Sequence, residues 1–192
     1  MLFPQFEKGT VVLKNRSQLS AQINYNMLQQ EMQFLDADSL VKALADALSV
    51  VVITIENRHF FPVSSEGVFY EEIQVGNGSF FVQHKANMIS EGKASAYGGY
   101  SQTNAITSYS TISSNTTGSV YKLNPDEKFR LKTEKFFYLQ SGKSYKRFTS
   151  AKSLGKLFKG KGLKIEEFAK EQSINFNKIN DVARIVEYGY SL

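Results

Sequence analysis

Leu19, Ala21, Ile23 and Tyr25 alternate with Ser20, Gln22, Asn24 and Asn26. That period of two predicts a half-buried β-strand. The alternation continues more weakly through Leu28, Gln30, Met32 and Phe34. Residues 50–55 are β-branched throughout, which predicts a central strand covered on both faces. Asn57-Arg58 and Gly76-Asn77-Gly78 lie between apolar runs and predict hairpin turns. The second is the stronger signal, because such turns need positive φ. After it, Phe80, Val82, His84, Ala86 and Met88 share one face, and Phe81, Gln83, Lys85 and Asn87 the other. Strand patterning resumes at 120–123, Pro125-Asp126 predicts a turn, and Ser141-Gly142 predicts a further hairpin.

From residue 149 the period changes. Leu154, Leu157 and Phe158 have helical spacing, with Thr149 or Ser150 as N-cap. Ile165, Phe168 and Ala169 mark a second short helix. Ile179, Val182, Val186 and Tyr190 mark a third, for which Asn177 is the expected cap. Strands first and helices last predict an α+β fold in one domain, 1–192. Its 1–148 part is an antiparallel β meander, barrel-like or a strongly twisted sheet. Its 149–192 part, about three short helices, packs on that sheet because each helix has one apolar stripe to bury.

Composition narrows the chemistry. The 192 residues contain no cysteine and two histidines. Disulfide scaffolds, thiolate zinc sites and cysteine nucleophiles are excluded. No apolar run approaches the ~18 residues of a membrane-spanning helix. Residues 1–121 carry 7 Lys+Arg against 10 Asp+Glu, and residues 122–192 carry 16 against 8. Residues 94–121 hold no charge at all, and 11 of the 23 residues at 97–119 are Ser or Thr. This stretch predicts a long uncharged loop at 95–119.

No nucleophile elbow, phosphate loop, dinucleotide fingerprint or zinc-helix motif occurs. Glu71 and Glu72 are adjacent, so on a strand they point to opposite faces and cannot form an acid–base pair. The chain reads as non-enzymatic, with no catalytic residue, cofactor or metal site. His84 sits among apolar neighbours, either as a neutral core histidine with one hydrogen bond or as a pocket residue facing a ligand. Tyr97, Tyr100 and Tyr109, set among Ser, Thr, Asn and Gly, have the composition of an adaptable interaction loop. Residues 143–164 carry eight basic and no acidic residues, and Lys152, Lys156 and Lys159 can share one helix face. They could contact a polyanion, or simply form a solvated face. Recognition of nucleic acid is not expected, since no reading motif accompanies the lysines.

Several segments carry a resemblance. Leu2-Phe3-Pro4-x-Phe6-x-x-Gly9, Asn24-Tyr25-Asn26 with Glu31-Met32-x-Phe34, 97–103, and Ile174-Asn175-Phe176-Asn177 resemble a family of uncharacterised exported proteins of gut-type Gram-negative bacteria. The resemblance implies a mature protein of the periplasm or cell surface whose signal peptide has been removed. It implies no activity. The expected function is therefore a non-enzymatic binding or scaffolding role in the cell envelope, toward a protein or small-molecule ligand. The alternatives are a small β-barrel carrier of an amphipathic molecule near His84, and a weak polyanion binder through 143–164.

Overall fold

Every strand pairing among the described residues is antiparallel, and all the strands belong to one sheet. The structure is a computed structural model that describes residues 1–63, 67–94, 100–101, 127–142 and 144–192. The strands are β1 (Glu7–Leu13), β2 (Gln18–Asn26), β3 (Glu31–Leu35), β4 (Val41–Ala43), β5 (Val50–Ile55), β6 (Arg58–Pro62), β7 (Phe69–Val75), β8 (Gly78–Ala94), β9 (Tyr100–Ser101), β10 (Glu127–Ser141) and β11 (Ser144–Phe148). Three helices follow: α1 (Ala151–Gly155), α2 (Gly162–Glu171) and α3 (Ile179–Ser191). The α+β arrangement expected from the periodicity is present. The segments 102–126 and 64–66, including the strand expected at 120–123 and most of the expected loop, lie outside the described residues.

The sheet order is β11-β10-β8-β7-β6-β5-β1-β2-β3-β4, with β9 beside β8. Its two ends do not pair with each other, so the sheet is open and the barrel alternative is corrected. It nevertheless curls. Laid flat, β2 and β8 would stand about 24 Å apart, five strand spacings. Instead the turn between β2 and β3 reaches β8: the Ala86 N–H donates to the Met27 carbonyl at 2.9 Å. Gln30 Nε2 also donates to the His84 carbonyl at 2.6 Å.

The curl gathers one face of the sheet into two apolar cores. The first holds Phe3, Ile23, Tyr25, Ile53 and Phe60 among others, inside the curled β1–β6 part. The second holds Phe80, Val82 and Phe137 from strands with Leu154, Ile165, Val182 and Ile185 from all three helices. The helices thus share a core with β8 and β10. The close approach of α3 depends on glycine at Gly78 and Gly189. A side chain at Gly78 would overlap the Tyr190 ring, and one at Gly189 the Phe158 ring. With those positions bare, α3 lies over the β7–β8 hairpin and the Tyr190 hydroxyl donates to the Ser79 carbonyl at 2.9 Å.

Three local expectations are corrected. β5 is central in pairing, between β6 and β1, but it is not covered on both faces. The register slips between Val12 and Leu13, Val50 and Ile53 turn inward, and Val51 is 44% exposed. The β5–β6 turn is Glu56-Asn57, with Glu56 at φ 54°, so Arg58 begins β6. Lys178 rather than Asn177 precedes α3, and it makes no side-chain cap. Ser150 does cap α1, through a reciprocal pair with Ser153.

Tyr25 is 1% exposed, and its hydroxyl has no hydrogen-bond partner among the described residues. It lies beside the Phe69 backbone, outside hydrogen-bonding geometry, and burial raises its pKa. A buried hydroxyl without a partner costs about 1–3 kcal/mol. Tyr25→Phe is therefore expected to leave the melting temperature unchanged or raise it, whereas a fall of several degrees would show that the hydroxyl is bonded.

Candidate functional site

Two features stand out on the inner face. The first is an ionic triad at the seam between the cores. Phe60 stands opposite Glu71, and Glu71 opposite Val82. Cross-strand partners share a face, so Glu71 faces inward, and His84 lies on the same face two residues beyond Val82. Phe69 and Val75, at the ends of β7, belong to the first and second core respectively. Glu71 sits between them. It is 4% exposed and so is His84. Arg58 Nε and Nη2 donate to the two Glu71 carboxylate oxygens at 2.6 and 2.7 Å. His84 Nε2 contacts Glu71 Oε2 at 2.5 Å. The guanidinium is also seated 4.8 Å from the Phe3 ring centre and 5.5 Å from that of Phe60.

A carboxylate this deep needs such partners. Burial pushes the Glu71 carboxyl up, but the bonds from His84 and Arg58 outweigh it and hold the pKa at about 2, below the ordinary 4.5. His84 is therefore a core histidine with a bonded ring nitrogen, and it also lines a cavity of about 320 Å³.

The second feature is an apolar groove of about 510 Å³ at the other end of the inner face. Its floor is Val11, Ile23 and Ile53, and its far wall is the segment from β4 to Ser49. Ala21, Ala43 and Ala45 line it, and these short side chains leave the space open. Its one ionisable lining residue, Asp46, is occupied by the backbone N–H groups of Leu48 and Ser49. Leu19, Leu40, Val41, Leu48 and Val51, all at least 44% exposed, belong to the same strands and loops. The sequence pattern put the inward stripe of β2 in view but not the groove, which depends on the long-range return of residues 36–49 across it.

The other candidates are dispersed. Tyr97 and Tyr109 lie outside the described residues. Of Tyr100, the backbone is placed in β9, where it pairs with Ala94. Lys152, Lys156 and Lys159 are all exposed, but α1 ends at Gly155, so the shared helical face is corrected. The chain turns at Gly160, with φ 76°. His59 is half-buried in mid-strand on the outer face, its Nδ1 3.1 Å from Thr54 Oγ1.

Sequence reasoning missed Arg58 and Glu71. A signal for Glu71 existed. The two-residue Gly76-Asn77 turn sets the β7–β8 register, which places Glu71 and His84 diagonally on one face. Arg58 was masked by its assignment to a turn. Among the described residues no three His, Asp or Glu side chains form a metal-binding cluster. No helix among them is long and apolar enough to cross a membrane. No family model, curated protein or solved structure matches the chain.

Proposed function

We propose that the protein is a non-enzymatic binder of a small apolar or amphipathic molecule, held in the groove between β1, β2, β3, β5 and the 36–49 segment. One observation carries this reading: an apolar cavity of about 510 Å³ lined by Ala21, Ala43 and Ala45, with the exposed Leu19 in its wall. Ligand pockets usually enclose about 300–1,000 Å³ and are mostly apolar. A core that served stability alone would fill such a space, because an unfilled apolar volume forfeits packing. The reading keeps the binding role expected from the sequence and moves its seat away from His84. The absence of a free charge in the lining favours a neutral or weakly polar body over a buried headgroup.

Titration with the environment-sensitive dye N-phenyl-1-naphthylamine tests it. The full chain is expected to enhance the dye's fluorescence saturably. Ala21→Leu fills the groove from its floor and is expected to weaken binding tenfold or more, about 1.4 kcal/mol, without lowering the melting temperature. Dye binding that is not saturable, or that Ala21→Leu leaves unchanged, contradicts the proposal.

A further inference from the structure

Strand β10, toward the other end of the sheet order from the groove, is longer than the strand that borders it. It pairs with β8 from Glu127 to Tyr138, but β11 covers its opposite edge only from Phe137 to Ser141. Among the described residues nothing pairs with that edge over 129–136. We propose that this edge takes an extended acidic peptide of a partner protein as an added strand, in line with β11.

Backbone alternation defines what the edge offers. In an antiparallel ladder, alternate residues direct their N–H and C=O groups to the same neighbour. The two-residue turn between Ser141 and Ser144 makes those two a hydrogen-bonded pair, so Phe137 and Leu139 also direct theirs to β11. By the same alternation Glu134 and Phe136 direct theirs to β8, and Thr133 and Lys135 direct theirs to the uncovered side. Such an edge is a template for another strand. β11 does not extend to fill it. Phe148 is buried in the second core and Ser150 caps α1, so the chain leaves the sheet there. The gap is concave: a cavity of about 400 Å³ lies between residues 132–137 of β10, the end of β11 and Phe176. Peptides bound by strand addition gain affinity from main-chain bonds and specificity from side-chain pockets beside the edge.

Charge selects the occupant. The cavity is lined by Lys132, Lys135 and Arg147 against the single acid Glu134. Lys132 and Glu134 pair with each other at 2.9 Å, so Lys135 and Arg147 set the sign. The Arg147 guanidinium is seated 4.2 Å from the Phe136 ring centre, which holds its charge beside the edge. Two copies of the chain joined through this edge would bring these cations against each other, and like charges across a strand pair are destabilising. An acidic strand meets them with opposite charge. Lysines on an edge also discourage indiscriminate pairing, so the same side chains that reject a second copy admit the acidic partner.

The test is fluorescence polarisation of a labelled, end-blocked heptapeptide of alternating valine and glutamate, titrated with the full chain. The peptide is expected to bind saturably. The same peptide with lysine for glutamate, or N-methylated at every backbone amide, is expected to bind at least about tenfold more weakly. Thr133→Pro removes an edge N–H and leaves the β8 ladder bonds in place, so it should weaken the glutamate peptide about tenfold with cooperative melting retained. Lys135→Glu reverses one exposed charge and should weaken the peptide by about the same factor, while the remote Lys152→Glu changes it less than about twofold. Equal binding of the lysine peptide, of the N-methylated peptide or of oligothymidylate, or indifference to Lys135→Glu, overturns the inference. So does a dimer in sedimentation that Thr133→Pro dissolves, because the edge would then serve a second copy.

Discussion

Ile53→Asp is expected to abolish folding, and Val52→Asp, one residue away, to be tolerated with a loss of about 1–2 kcal/mol. Ile53 is 1% exposed and belongs to the first core beside Ile23, Tyr25 and Phe60. A carboxylate there has no cation within the apolar cluster. Burying it unpaired, and losing the isoleucine contacts, costs several kcal/mol against a total stability of about 5–15. Val52 lies on the outer face, half-buried, where a charged side chain can turn to water. Solubility and cooperative thermal unfolding of both variants check this. Equal loss in the two would mean that β5 is covered on both faces after all.

Glu71→Gln is the second large effect. The amide leaves the Arg58 guanidinium short of its counter-ion at the seam, and breaking a buried pair costs about 3–5 kcal/mol at neutral pH. Replacing Arg58, Glu71 and His84 together by Met, Leu and Leu removes the charges with their partners and is expected to recover most of that loss. The pH dependence has a definite sign. The Glu71 pKa is depressed in the folded state, to about 2 from 4.5. Its contribution, about 3 kcal/mol, is therefore present above pH 4.5 and is lost as pH falls toward 2. Denaturant unfolding across that window should lose one proton's worth of slope in Glu71→Gln. An unchanged slope would show that Glu71 is not the group that titrates.

Much of the fold was legible, for identifiable reasons. The alternation at Leu19–Tyr25 and the Gly76-Asn77-Gly78 turn are local signals, and both correspond to elements seen. The switch from period two to helical spacing at 149 likewise marked the helical segment, and Ser150 its first cap. What failed was non-local. The β-branched run at 50–55 reads as covered on both faces, but a one-residue register slip against β1 turns Val51 outward. Sheet closure cannot be read from strand content. Curl without closure here depends on the β2–β3 turn bonding to β8, a contact between residues 54 apart in the case of Gln30 and His84. The site was half legible for the same reason. His84 announced itself as a lone titratable residue in an apolar stripe. Its partners come from two other strands, and the groove comes from a loop folded back over the sheet.

The claim that matters most is that a ligand occupies the groove of β1, β2, β3 and β5. Methyl NMR of the full chain, titrated with N-phenyl-1-naphthylamine, tests it directly. The account predicts saturable shifts confined to Leu19, Ala21, Ile23, Ala43, Leu44 and Ile53, with Ile179 and Leu2 unmoved. Shifts centred on Ile179 and Leu2, or spread evenly over exposed methyls such as Leu131 and Leu163, would contradict it.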